Sequence, residues 1–228
     1  TEKLRMTSFL PVDAAIAEAV GVNMATTIDT VIGAVALAGT NVKYGGGKAS
    51  RNLLTASDKI TSALIRSAYA EMRGKSVPGY GDAVAANGVV TVGMGSNYVA
   101  MIHPHVAKDL REETGAGGWR QPKEYSDPSG IYKGELGMYE GVRFVENPNA
   151  YLGVKGGGAS SADVYLTQLF GYQYLGEGVG VEPELRITGP FDGMGRLLNV
   201  AWYALVGYAR VREEAGVRIE SGGSIALP

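Results

Sequence analysis

The only two histidines of the sequence flank a proline in His103-Pro104-His105, and Asp109 and Glu112 are the nearest acids downstream. Imidazole nitrogens and a carboxylate are ligands that a zinc ion takes, and a metal-activated water is a nucleophile. A small metal-dependent hydrolase around His103 and His105, with Asp109 as a third ligand, is therefore one function class to weigh. The spacing argues against it. Side chains at i and i+2 share no helix face, and Pro104 fixes the backbone between them. A strand-to-helix junction with His103 near the helix cap accounts for the same residues. No metal, cofactor or catalytic residue is expected.

Other segments approach a known chemistry and miss it. Gly45-Gly46-Gly47-Lys48-Ala49-Ser50 lacks the leading glycine of a phosphate loop and puts Ala49 between lysine and hydroxyl. In Gly93-Met94-Gly95-Ser96-Asn97-Tyr98 a tyrosine stands where the dinucleotide fingerprint requires its last glycine. The sequence has no Gly-x-Ser-x-Gly elbow. Glu112-Glu113 and Glu213-Glu214 are adjacent, so their side chains diverge and make poor acid–base partners. Lys59, Arg66 and Arg73 are candidates for a nucleic-acid face, but Asp58 and Glu71 dilute it, and a solvated helix face is the default. Trp119, Arg120 and Tyr125 fall in one loop with the composition of a subunit-interface anchor. A loop packed on itself, or the binding loop of a soluble module, would use the same residues.

The elements that position these residues follow from apolar spacing. Val12, Ile16, Val20, Met24, Ile28 and Val31 recur at helical spacing over residues 11–38, with Pro11 and Asp13 at the start. Gly21 and Gly33 are candidate interruptions and Gly39 the stop. Thr55 and Asp58 read as a capping box opening a second helix, residues 55–74, with Ile60, Ala63, Leu64, Ala68 and Met72 as its stripe. Residues 98–102 read as a buried strand. Pro104 starts a helix carrying Val106, Ala107 and Leu110. Residues 134–139 and 142–146 form a hairpin around Glu140-Gly141. Strands are also expected at 89–92, 163–170, 185–187, 197–211 and 217–220, the last closing the sheet. Helices come first and mixed strands and helices follow, an α+β order.

The totals bound the rest. The 228 residues suffice for one large domain or two small ones, and 45% hydrophobic content supports a real core. A net charge of −2 carries no overall signal for nucleic acid. The absence of cysteine excludes disulfides and thiolate chemistry. The longest uninterrupted apolar stretch, residues 31–38, falls well short of the ~18 residues that span a bilayer, so no membrane is expected. The 34 glycines are aperiodic and cluster in runs that read as turning loops.

Several segments together resemble the major capsid proteins of tailed phages, in particular the N4-like coat-protein family with the HK97 fold. They are Tyr98-Val-Ala-Met-Ile-His-Pro-His-Val-Ala-Lys-Asp-Leu110, Gly118-Trp119-Arg120 with Lys123-Glu124-Tyr125, Ile131-Tyr-Lys-Gly-Glu-Leu-Gly137 and Gly141-Val-Arg-Phe-Val-Glu146. Residues 37–44, the helix from Thr55 and residues 192–220 are similar to further parts of that family, so the resemblance covers nearly the whole chain.

The resemblance implies a structural protein and not an enzyme. A peripheral domain (1–88 and 181–228) would hold a spine helix at 55–74, and an axial domain would take 89–180. Copies would assemble into pentamers and hexamers of an icosahedral shell enclosing double-stranded DNA, held non-specifically. Scaffold, portal or cement proteins would be further partners. The location would be the virion, with assembly in the host cytoplasm. Thr1 falls after the family's N-terminal arm and extended loop, so both are expected to be absent here. An encapsulin-like compartment holding a cargo protein is the alternative within the same fold.

Overall fold

The computed structural model describes residues 12–80, 83–84, 90–91, 97–113, 134–148, 152–189, 193 and 199–227. Pro11 and the Trp119, Arg120 and Tyr125 group lie outside the described residues. The chain divides into two compact units, residues 1–32 with 176–209 and residues 33–175 with 210–228.

Helix α1, Val12–Leu37, is one run of 26 residues. Neither Gly21 nor Gly33 breaks it, and at both positions a Cβ would meet open space. One sequence expectation is corrected here. Ala14–Leu37 is long and apolar enough, by length and composition, to cross a bilayer. Counting uninterrupted apolar residues missed this because Glu18, Asn23, Thr26, Thr27, Asp29 and Thr30 break the run, whereas the average over the helix absorbs them.

Strand β1 (Val42–Tyr44) follows, then tight turns at Gly45–Gly47 and Arg51–Leu53, then α2 (Ser62–Gly74). The expected helix start at Thr55 is wrong by one and a half to two turns. Asp58 Oδ2 does accept from Thr55 N–H and from its hydroxyl, each at 2.8 Å. That contact closes an isolated turn. The cap is Thr61, extended at φ −125°, whose hydroxyl accepts from Leu64 N–H at 3.3 Å. Ile60, just before the cap, is 1% exposed and anchors the entry to the helix in the core.

Strands β2 (Ala83–Val84) and β3 (Val90–Thr91) pair antiparallel by themselves. Then come β4 (Tyr98–Ile102), α3 (Pro104–Glu112), β5 (Glu135–Tyr139), β6 (Val142–Glu146), β7 (Gly153–Val154) and β8 (Val164–Phe170). The last strands are β9 (Leu175–Thr188), β10 (Asn199–Arg210) and β11 (Gly216–Ser221). The β5–β6 turn has φ +48° at Glu140 and +77° at Gly141, as a two-residue turn matching strand twist requires. At Gly141 a Cβ would also come within 2.9 Å of the Tyr69 ring.

The sheet of the larger unit runs β1-β11-β8-β4-β6-β5, with β7 added on β8. The β1–β11 and β4–β6 pairs are parallel and the others antiparallel. Strand β11, expected to close the sheet, lies inside it between β1 and β8. The core joins Ile65, Ala68 and Met72 of α2 and Val106, Ala107 and Leu110 of α3 to sheet residues such as Ala100, Phe144, Leu169 and Ile219. A second, smaller cluster of Leu54, Val164 and Leu166 includes the opposite side chains of β8. Strand β8 is therefore buried on both faces.

In the smaller unit β9 and β10 pair as a two-stranded sheet. Trp202 of β10 donates its indole N–H to Asn23 Oδ1 of α1 at 3.0 Å.

Candidate functional site

His103 is the cap of α3, as its place before a proline suggested. Its Nδ1 accepts from the His105 N–H at 3.2 Å, and Pro104 fills the first helical position. The ring is 5% exposed, and burial, with His105 adding to it, pushes its pKa down to about 4. His103 is thus neutral, with its proton on Nε2. His105 Nδ1 lies 2.9 Å from the Tyr165 hydroxyl, which itself donates to the Ile225 carbonyl at 2.5 Å. The tyrosine proton being committed, His105 donates from Nδ1. Burial pushes the Tyr165 hydroxyl up to about 12.

The third residue of the metal reading is committed elsewhere. Asp109 accepts from Lys59 Nζ at 3.0 Å, from Ser224 Oγ at 2.6 Å and from Ser224 N–H at 2.8 Å. Burial would raise its pKa, but the Ser224 hydrogen bonds and Lys59 outweigh it and hold the carboxyl below its ordinary range. Glu112 pairs with Lys108 one turn back, at 3.3 Å. Among the described residues no group of three or more His, Cys, Asp or Glu side chains is placed to hold a metal ion.

The acidic pairs divide their labour. Glu113 accepts from Ser62 N–H at 2.6 Å and from its hydroxyl at 3.2 Å, capping the start of α2 from α3. Glu213 accepts from Thr40 N–H at 2.6 Å and from Arg210 Nε at 2.7 Å. The basic residues weighed as a nucleic-acid face each meet groups of the chain itself. Lys59 is tied to Asp109, Arg66 reaches Tyr139 at 2.7 Å and Glu140 at 3.2 Å, and Arg73 lies over the Tyr69 and Tyr98 rings. The Gly45–Gly47 turn packs on Asp58, whose carbonyl oxygen lies 2.4 Å from where a Gly45 Cβ would be.

Three side chains close the end of α1. Arg210 Nη1 donates to the Val35 carbonyl at 2.8 Å and Tyr174 to that of Ala36 at 2.6 Å. Arg218 Nη1 donates to the carbonyls of Leu37 and, at 3.2 Å, Gly39. These are the orphan carbonyls of a helix C-terminus, met by two cations and a phenol. Arg218 also holds Glu220 at 2.9 Å, and Arg51 grips the same carboxylate through two nitrogens at 2.6 and 2.7 Å. Glu220 is 1% exposed.

The smaller unit presents a surface instead of a chemical centre. Among the described residues Val22, Val31, Val179, Leu185, Ile187, Tyr203 and Leu205 all belong to it and stand 42–61% exposed. Helix α1 has apolar residues all round and yet, among its described side chains, buries only Ala36. A helix of that composition is stable in water only when something covers it. Apolar spacing marks the helix but not the exposed surface, because it cannot tell a side chain buried within the chain from one left uncovered.

A sequence model described as phage capsid protein matches residues 2–223. No curated protein sequence matches the chain. Among solved structures, the capsid of Ralstonia phage GP4 superposes with a TM-score of 0.61 at 18% identity, over 82% of this chain and 54% of that one. The capsid asymmetric unit of cyanophage Pam1 gives 0.58 at 18%, over 81% and 54%. The capsid of cyanophage P-SCSP1u gives 0.58 at 14%, over 98% and 70%. The chain spans about half the length of the first two.

Proposed function

The chain belongs to the phage capsid protein family and has its HK97-like α+β fold, and on that premise we propose that it forms the shell of a virion as a major capsid subunit. Copies join as pentamers and hexamers of an icosahedral shell enclosing double-stranded DNA. The protein works by geometry, with no residue acting on a substrate. Shells of this kind assemble in the host cytoplasm, and scaffold, portal or cement proteins act on them from outside this chain. The finer placing among the N4-like coat proteins rests on the segments around Tyr98, Trp119 and Gly141.

The observation that carries the reading is the uncovered apolar surface of the smaller unit, led by Val22, Ile187 and Leu205. Apolar area left in water costs about 25 cal/mol per Å², and contact between copies removes that cost. Obligate interfaces often bury over ~2,000 Å² and resemble a divided core.

The domain assignment is recast within the same proposal. The peripheral role goes to residues 1–32 with 176–209, because that unit holds most of α1, the longest helix among the described residues, which we take as the spine. The axial role goes to residues 33–175 with 210–228. Helix α2 then belongs to the axial part and not to the spine.

Size-exclusion chromatography with light scattering on the full-length protein tests the proposal. Capsomers or particles in the megadalton range are expected. A monomer that persists at high concentration would overturn it.

A further inference from the structure

Residues 222–227 leave β11 and continue over the larger unit as a strap outside any strand. Gly222 N–H reaches the Asp58 carbonyl at 2.9 Å. From Ser224 onward, the hydrogen bonds described for the strap all end on side chains. Ser224 gives its N–H to Asp109 Oδ2 at 2.8 Å and its hydroxyl to Oδ1 at 2.6 Å. The Ile225 carbonyl accepts from Tyr165 at 2.5 Å, and Leu227 N–H donates to Asp163 Oδ2 at 2.8 Å. Ser224, Ile225 and Ala226 are exposed. Leu227 is buried against Gly153, where a Cβ would come within 2.5 Å of it.

A strand is held by backbone groups that do not titrate. This strap is held largely by two carboxylates that do. Asp109 receives three donors, two from Ser224 and one from Lys59. Asp163 receives two, the N–H groups of Gly156 and Leu227. A protonated carboxyl turns one of its acceptor oxygens into a donor, which then opposes an N–H or ammonium already in place. We propose that residues 222–227 are an acid-releasable strap: protonation of Asp109 and Asp163 frees residues 224–227 while the sheet stays folded. Release uncovers the seat of Leu227 beside Gly153 and the Tyr165–His105 pair.

The surrounding charges set the direction. Asp109 faces Lys59 from the turn before α2, with His103 and His105 at the start of α3 and Tyr165 on β8 nearby. Asp163 faces Lys155 and Tyr165. Asp58 meets the strap through its backbone carbonyl. The Lys59 ammonium favours the ionised Asp109 carboxylate and the Lys155 ammonium that of Asp163. The Asp163 carboxyl is lowered first by the hydrogen bonds of Gly156 and Leu227, and that of Asp109 by Ser224 and Lys59 against the opposing effect of burial. Groups lowered in the folded state stabilise it above their ordinary pKa and lose that contribution as pH falls through the folded one, here below about 4.

Amide hydrogen exchange on the full chain between pH 6 and 3 tests this, read against intrinsic rates. Protection at the Ser224 and Leu227 amides is expected to be lost, while the Leu169 and Val217 amides of the sheet stay protected. The double variant Asp109→Asn with Asp163→Asn is expected to show the low protection already at pH 6. Unchanged strap protection at pH 3, loss together with the sheet amides, or a double variant protected like the wild type at pH 6 would each overturn the proposal. If the double variant also loses sheet protection, Asp163→Asn alone decides: loss at Leu227 supports the strap, and retention overturns it.

Discussion

The Tyr174 hydroxyl donates to the Ala36 carbonyl at 2.6 Å, tying the last turn of α1 to the residue before β9. Tyr174 is 2% exposed, and burial pushes its pKa up, so the phenol stays neutral and remains a donor. Tyr174→Phe keeps the ring and leaves a carbonyl without this partner. A loss of about 1–2 kcal/mol is expected, read as a shift of roughly 2–8 °C in melting temperature. An unchanged midpoint would mean that Arg210 and Arg218 hold the helix end without it.

Glu220 carries the charge balance of a second junction, between Arg218 and Arg51. Glu220→Gln leaves two guanidinium groups facing each other across an uncharged amide. Removing one member of a buried pair costs ~3–5 kcal/mol. Arg51 is 34% exposed, so the expected cost is about 2–3 kcal/mol after solvent screening. Urea unfolding gives the value, and a change below about 0.5 kcal/mol would contradict it.

His103 predicts a pH dependence of its own. The unfolded ring binds a proton near pH 6.5 and the folded one only near 4. Between those values the unfolded chain holds more protons, so stability is full above about pH 6.5 and declines toward pH 4. The ceiling is about 3 kcal/mol. His103→Asn keeps an acceptor at the cap and is expected to flatten the decline between pH 7 and 5 in urea midpoints. An identical slope in both proteins would place the titration elsewhere.

Val22 and Ile187 are 60% and 61% exposed, so a charge at either position meets water in the separate chain. Val22→Glu and Ile187→Glu are each expected to leave the melting temperature nearly unchanged, within about 0.5 kcal/mol, and to abolish assembly. Wild-type particle yield from both variants would remove the apolar surface of the smaller unit from the interface.

Much of the larger unit was legible in the sequence. Strand β4, the β5–β6 hairpin with Glu140-Gly141 at its turn, and the Pro104 helix with His103 at its cap all follow from short-range spacing. The start of α2 was not legible, because Thr55 and Asp58 make the same local contact whether or not a helix continues from it. Strand β1 has three residues, too few for periodicity to register, and exists because β11 offers it a parallel partner. The strap escaped for a related reason: Asp109 lies 115 residues from Ser224 and Asp163 lies 64 from Leu227, and no local pattern encodes such a pairing. The exposure of α1 was hidden as well, since the same apolar composition fits a core helix and an interface helix.

The most direct test of the capsid reading is cryo-electron microscopy of particles formed by the full-length protein. Closed icosahedral shells are expected, whose subunit density takes the seven-stranded sheet of β1, β11, β8, β7, β4, β6 and β5, with the apolar residues of α1 and β9–β10 against neighbouring copies. Monodisperse monomers of the full-length protein, or shells whose subunits meet only through the larger unit, would contradict it.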